Sequence, residues 1–154
     1  MSTYHFVTAP ISITGPATKT LLAVTSNGSK RFKVKKVGIS FSGVDATYNP
    51  IEVRLVQQTS GGTFTSGTWT LNDPMGDSAV STCKSNASAE PTTNAIIDSW
   101  LVSPAGGLWV MQWPLGDEPL SSTSGASQQI GLYLSVPASL AVACNAVGTI
   151  TVEE

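Results

Sequence analysis

The sequence predicts an all-β protein, a two-sheet β-sandwich of about eight short antiparallel strands in a single domain spanning residues 1–154. Apolar and polar residues alternate in segment after segment, whereas the period of an amphipathic helix is hard to find. Turn signals rich in Gly, Pro, Asn and Ser separate these segments, as in sandwiches and barrels. The length suits one core, and no internal repeat or change in composition divides the chain.

The chain opens with two candidate strands. In "STYHFVT" the alternation places Tyr4 and Phe6 on one side, and "KTLLAVTS" is a short apolar strand. The Asn27–Gly28 pair that follows favours the tight turn of a β-hairpin. We therefore expect the second strand to lead into the next one through such a turn.

A cluster of basic residues marks the third candidate strand, "RFKVKKVGISF". Five of the eight basic residues of the chain lie between Lys30 and Lys36. The apolar residues change sides at Lys35–Lys36, so a regular strand could not bury them all. A β-bulge at this pair would return them to one inward face and leave the lysines outward or at the bulge, where they would keep one side of the strand soluble or protect a sheet edge from unwanted pairing. The apolar residues concerned are Phe32, Val34, Val37, Ile39 and Phe41.

The middle of the chain is less regular. "IEVRLVQQ" alternates, with Ile51, Val53 and Leu55 facing inward. A long polar region, residues 59–94, follows. Within it "TFTSGTWTL" is predicted as a strand broken by Gly67, and most of the remainder is predicted as loop. A polar connection of this length is typical of a functional or interface loop.

The last third predicts several more strands. "AIIDSWLVSP" is predicted as a buried strand ended by Pro104, and "GGLWVMQWPLG" as a strand with Trp109, Met111 and Trp113 on one face. "LGDEPLSSTSGASQ" is predicted as loop, and "LAVACNA" and "VGTITVEE" close the chain. "QIGLYLSVP" is predicted to bury four residues, namely Ile130, Leu132, Leu134 and Val136.

The composition excludes some classes of function. The net charge is −2, which argues against nucleic-acid binding because that function needs an excess of Lys and Arg. Charged residues are only 12% of the chain, so hydroxyl-rich surface dominates, and such surface costs little to bury against other proteins. "MSTYHFVTAP" is no signal peptide, and no apolar run is long enough to span a membrane. We expect synthesis in the cytosol and no membrane partner.

The residues that usually carry chemistry are few. His5 is the single histidine and is expected at the surface of a frayed first strand, and no Gly-x-Ser-x-Gly motif is present. Cys83 and Cys144 lack the clustered partners of a zinc site and are predicted as free thiols. Asp73 and Asp77 supply too few oxygens for a calcium site by themselves. The sequence therefore predicts no catalytic residues, no cofactor and no metal.

Tryptophan is the remaining candidate for recognition. Trp100 lies in an apolar run and is predicted to be in the core. Trp109 and Trp113 flank Met111 on one face and are the best candidates for an exposed or intersubunit patch. Stacking on sugars is the alternative, and packing is favoured over it.

The order of these segments resembles that of a known group of proteins. The chain runs from "TKTLLAVTS" through "KKVGISFSG", "IEVRLVQQ" and a Ser/Thr loop to "VSPAGGLWVMQWPLGDEP", "IGLYLSVP" and the acidic end "GTITVEE". It is similar to small structural proteins of tailed bacteriophages, the capsid decoration or auxiliary proteins with a jelly-roll sandwich. The resemblance covers most of the chain as a pattern of strands rather than as a sharp motif.

The resemblance implies a virion protein on the capsid surface, a homotrimer or other homo-oligomer that binds the phage major capsid protein and has no catalytic residues. We predict contact through Trp109, Met111, Trp113, Leu115 and the loop 115–128. The basic residues Lys33, Lys35 and Lys36 are predicted to meet an acidic partner surface. The alternatives are a carbohydrate-binding module or tail-fibre attachment domain, and a small jelly-roll hydrolase with two converging carboxylates.

Overall fold

A computed structural model confirms the predicted sandwich of two antiparallel sheets. It describes residues 2–43, 49–59, 61–72, 76–121 and 128–154. This part of the chain contains twelve strands, against about eight predicted, and no helix that could cross a membrane. The strands are β1 (Thr3–Val7), β2 (Ile11–Ile13), β3 (Ala17–Thr25), β4 (Lys33–Phe41), β5 (Ile51–Thr59), β6 (Thr63–Ser66), β7 (Thr70–Leu71), β8 (Thr82–Ala89), β9 (Thr93–Val102), β10 (Gly107–Gln112), β11 (Gln128–Val136) and β12 (Cys144–Glu153).

The strands divide equally between the sheets. The first sheet has the order β10-β4-β12-β1-β7, and β2 pairs with one end of β12. The second sheet has the order β6-β8-β3-β11-β5-β9. Most consecutive strands lie in opposite sheets, so the chain passes repeatedly from one layer to the other.

The core fills the space between the sheets. The core includes the inward-facing residues predicted for the first strand, for "IEVRLVQQ" and for "QIGLYLSVP". All of these predicted residues are buried. A side chain at Gly148 of β12 would begin 3.2 Å from a Leu22 methyl group and 3.4 Å from a Leu132 methyl group, so leucine side chains of the second sheet fill the space over this glycine. Cys83 and Cys144 are buried, and both thiols are free as predicted.

The predicted β-bulge in β4 is confirmed. Thr151 of β12 pairs with Lys36, and the next residue of β12, Val152, pairs with Val34. Lys35 is therefore the extra residue, and all five apolar side chains of the segment are buried. The bulge exists because two apolar runs of opposite phase must both face one core.

The predicted hairpin at Asn27–Gly28 is wrong. The turn itself forms, because Gly28 has a φ of 85° and the Asn27 side chain accepts the Ser29 backbone N–H at 2.9 Å. However, β3 and β4 belong to different sheets. The residues of the turn determine that the chain reverses direction there. They do not determine which strands pair with each other.

The strand broken by Gly67 is confirmed as β6 and β7, but the prediction that residues 72–94 are mostly loop is wrong. Eight of these residues form β8, which pairs with both β3 and β6. The strand buries Cys83 and Ala87, and most of its other residues are small and polar. Small polar residues occur both in loops and in strands with one solvent-exposed face, so the composition alone could not distinguish a strand from a loop here.

The connection from β8 to β9 covers the outer face of the second sheet. The Glu90 carboxylate accepts the backbone N–H and the hydroxyl of Thr20 on β3, and the Thr59 N–H at the end of β5 donates to Thr92. Beneath it the Gln58 side chain is fully buried and donates to the Thr20 hydroxyl. The part of this face around Thr20 and Gln58 is therefore covered.

Candidate functional site

Two long strand edges lie on one side of the sandwich, which we call the open side and define as β9 and β10. Each of these strands pairs with one neighbour among the described strands, β9 with β5 and β10 with β4. The opposite edges are short, because β7 has two residues and β6 has four. Short edges are a common protection against unwanted pairing, and β9 and β10 lack it.

The open side also lacks charge. The sequences TNAIIDSWLV and GLWVMQ contain one charged residue, Asp98, and no lysine or proline. Two bulges disturb the pairing of β9 near Asn94 and Ile97, but the half from Asp98 onward pairs regularly with β5. This half offers a straight row of backbone donors and acceptors to another strand.

Three tryptophans fill the gap between the two edges. The rings of Trp100 on β9 and Trp109 on β10 lie 4.6 Å apart at 46°, and Trp113 meets Trp100 edge-on at 6.2 Å. All three, and Met111, are half-buried and pack against the core. They therefore join the two sheets at the open side.

The outward faces of the same strands are apolar and exposed, so the prediction that β9 is buried is wrong. Leu101 of β9 is 73% exposed and Leu108 of β10 is 69% exposed. Leu115, in the loop after β10, is 88% exposed. Ile96, Ile97 and Val110 are exposed as well. An edge strand has only one neighbouring strand. Its outward apolar side chains therefore lack the contacts that side chains on a second neighbouring strand would make with them.

The predicted contact residues are thus placed in two different ways. Three of them pack against the core between the two edge strands, namely Trp109, Met111 and Trp113. Leu115, in contrast, is exposed to solvent. Residues 122–127 of the predicted contact loop lie outside the described residues. The predictions missed Leu101 and Leu108, which alternate with the tryptophans and could have been found as the opposite faces of the same strands.

Among the basic residues of β4, Lys35 forms ion pairs with two described carboxylates. The Lys35 ammonium donates to Glu118 at 2.7 Å and lies 3.4 Å from a Glu153 oxygen, so the bulge residue serves an internal ion cluster. Glu118 is nearly fully buried and also accepts the Gly116 N–H at 2.7 Å. The hydrogen bond to Glu118 raises the pKa of Lys35. The same bond, together with backbone hydrogen bonds that include the Gly116 N–H, lowers the pKa of Glu118 to about 2.

Replacing Glu118 with glutamine is expected to reduce the pH dependence of stability. In the unfolded chain this carboxyl takes up its proton near its ordinary pKa of 4.5, and in the folded protein near 2. The pair therefore stabilises the wild type fully above about pH 5, and this stabilisation is lost as the pH falls toward 2. Urea midpoints at pH 7, 4 and 3 would measure the loss, with Asp117→Asn, an exposed neighbour, as control. Parallel losses in wild type and Glu118→Gln would contradict this assignment.

The structure bears on the alternative sites as well. The tilted tryptophan rings cover one another, so they offer no shared flat face for a sugar. Glu118 and Glu153 converge on Lys35, and an acid with a pKa of about 2 is a poor proton donor for glycoside hydrolysis. No group of three metal-ligating side chains occurs among the described residues. Asp73, which was considered with Asp77 for a calcium site, lies outside the described residues.

His5 is placed differently from the prediction. It lies on β1 inside the first sheet, between β12 and β7, and is half-buried rather than frayed. Its Nδ1 atom is 3.0 Å from the Thr151 hydroxyl.

Comparisons with known proteins add no assignment: no family model matches the chain, and no curated protein matches its sequence.

Proposed function

We propose that this protein is a structural subunit that assembles through its open side, as a capsid decoration protein that reinforces a phage head. The observation that carries the proposal is the pair of long, nearly uncharged edges at β9 and β10 with exposed leucines on their outward faces. The location on a phage capsid rests on the resemblance in the order of sequence segments.

Strand addition is the mode of contact that these edges support. A strand from another subunit can pair with Asp98–Val102 through backbone hydrogen bonds, and the exposed leucines then lose their contact with water. The three tryptophans pack this edge against the core, so we expect little conformational entropy to be lost on association. The same side can contact a second copy and the major capsid protein in turn.

Symmetry multiplies such contacts. One edge-to-edge contact is small, but a closed ring of three copies repeats it three times, and a capsid lattice repeats the ring many times. A shell can therefore gain stability from contacts that would be weak in isolation. This mechanism requires no catalytic group.

The oligomeric state of two variants tests the proposal. We expect wild-type protein to give a mass above that of one chain by light scattering after size exclusion, at micromolar concentration. Leu101→Lys combined with Leu108→Lys should return the mass to 16.0 kDa with unchanged circular dichroism, because each lysine places a charge in the contact.

Val142→Lys is the matched control, because Val142 is 55% exposed on the loop before β12, a strand that β4 separates from β10. It should keep the wild-type mass. A wild-type monomer at all concentrations would contradict self-assembly. For the capsid, antibody labelling of source phage particles should decorate heads, and labelling of tails or of no particle would contradict decoration.

A further inference from the structure

A polar groove lies on the first sheet, with a volume of about 380 Å³. Its centre is a row of register partners on four adjacent strands: His5 pairs with Thr151, Thr151 with Lys36, and Lys36 with Gln112. Their sequence neighbours, such as Tyr4 and Val37, face the core, so the row faces outward. The groove is lined by His5, Lys35, Lys36, Asn72, Gln112 and Thr151.

The lining of this groove favours negative charge. Lys36 forms no ion pair with any described residue, whereas the nearby carboxylates of Glu118 and Glu153 are both engaged by Lys35. The side-chain amide of Gln112 adds a neutral donor on the far side of Lys36. The Nδ1 atom of His5 is engaged by Thr151, so its Nε2 atom is the ring nitrogen left for a ligand.

We propose that the groove binds a small oxyanion between the Lys36 ammonium and the His5 ring. The Gln112 and Asn72 amides complete a set of donors around it. A carboxylate and a tetrahedral anion share this chemistry, so either could be the group recognised. The site lies on the outer face of the first sheet and shares Gln112 of β10 with the open side, so its test measures anion binding directly and not assembly.

Protonation of His5 is coupled to this binding. Burial lowers the pKa of His5 below 6.5, and the Lys36 charge lowers it further. A bound anion would offset the Lys36 charge and favour the imidazolium, so binding should tighten as the pH falls. Among the described residues near His5, the charged groups of the internal ion cluster are Lys35, Glu118 and Glu153. Lys33 lies on β4 outside the groove, and Thr70 of β7, the register partner of His5, is uncharged.

The single histidine makes the test direct, because its Cε1–H signal in the proton NMR spectrum needs no assignment. We would titrate it from pH 5 to 8.5 in sodium sulfate, in sodium formate and in sodium chloride at equal ionic strength. Sulfate or formate should raise the midpoint by about one pH unit over chloride, which corresponds to about tenfold tighter binding to the protonated form. The anion that gives the larger rise identifies the shape of the group.

Two variants separate a site from general screening. Lys36→Gln should abolish the effect of the anion and should also raise the midpoint in chloride, because a positive neighbour is lost. Lys33→Gln, which removes the same charge from the same strand outside the groove, should preserve the effect. In the wild type, sulfate or formate should also shift the amide signals of Gln112 and Asn72. Equal midpoints in all three salts, or equal losses in the two variants, would overturn the proposal.

Discussion

Aspartate at position 34 or at position 37 is expected to leave the protein largely unfolded at 25 °C. Val34 and Val37 are both fully buried, one on each side of the bulge at Lys35. An unpaired carboxylate in the core costs several kcal/mol, which is comparable to the total stability of a domain of this size. Circular dichroism and urea unfolding of Val34→Asp and Val37→Asp would measure the effect.

The two variants together test the bulge. In a regular strand, positions 34 and 37 lie on opposite faces, so one of the two aspartates would point to solvent and be tolerated. Ser40→Asp places the same charge on the outward face of β4 and should change the unfolding free energy by no more than about 1 kcal/mol. Tolerance of either core aspartate would show that the bulge is misplaced.

Replacing Trp109 with alanine is expected to lower the unfolding free energy by about 3 kcal/mol, the lower end of the range for large aromatic residues in cores. Trp109 is half-buried and packs on Trp100, so its loss removes the contact that joins β9 to β10. The two edges of the open side would then separate more easily. Urea unfolding at one protein concentration, with the mass checked by light scattering, would measure the change.

Val142→Ala is the control for this variant. Val142 is exposed on the loop before β12 and lies outside the proposed contact, so its truncation should change the unfolding free energy by less than about 0.5 kcal/mol. The comparison also separates two roles for the tryptophans. If Trp109→Ala abolished assembly while the monomer kept its stability, the ring would belong to a subunit contact rather than to the fold.

The sequence predicted those parts of the fold that depend on which face of a strand each side chain occupies. The inward faces of β1, β5 and β11 follow from strict alternation, and the bulge follows from a change of phase between Val34 and Val37. These features are local, because the side-chain period alone decides which residues can share a face. Pairing is not local. For that reason the Asn27–Gly28 turn was recognised correctly and the hairpin was not.

The candidate site was predicted in part, for a similar reason. The apolar run around Trp100 has the composition of a buried strand, and nothing in it indicates that β9 lies at an edge of its sheet. The cluster of basic residues on β4 indicated a charged surface, but the buried partner of Lys35, Glu118, is 83 residues away in the sequence. Such long-range pairs depend on topology, which the pattern of a single strand does not contain.

The two buried thiols give this protein a built-in chemical reporter of its own opening. Burial raises the pKa of Cys83 to about 11 and also raises that of Cys144, so neither forms a reactive thiolate while the sandwich is closed. Cys83 lies on β8 of one layer and Cys144 begins β12 of the other. Alkylation rates at the two positions would therefore show whether the layers open together or one before the other.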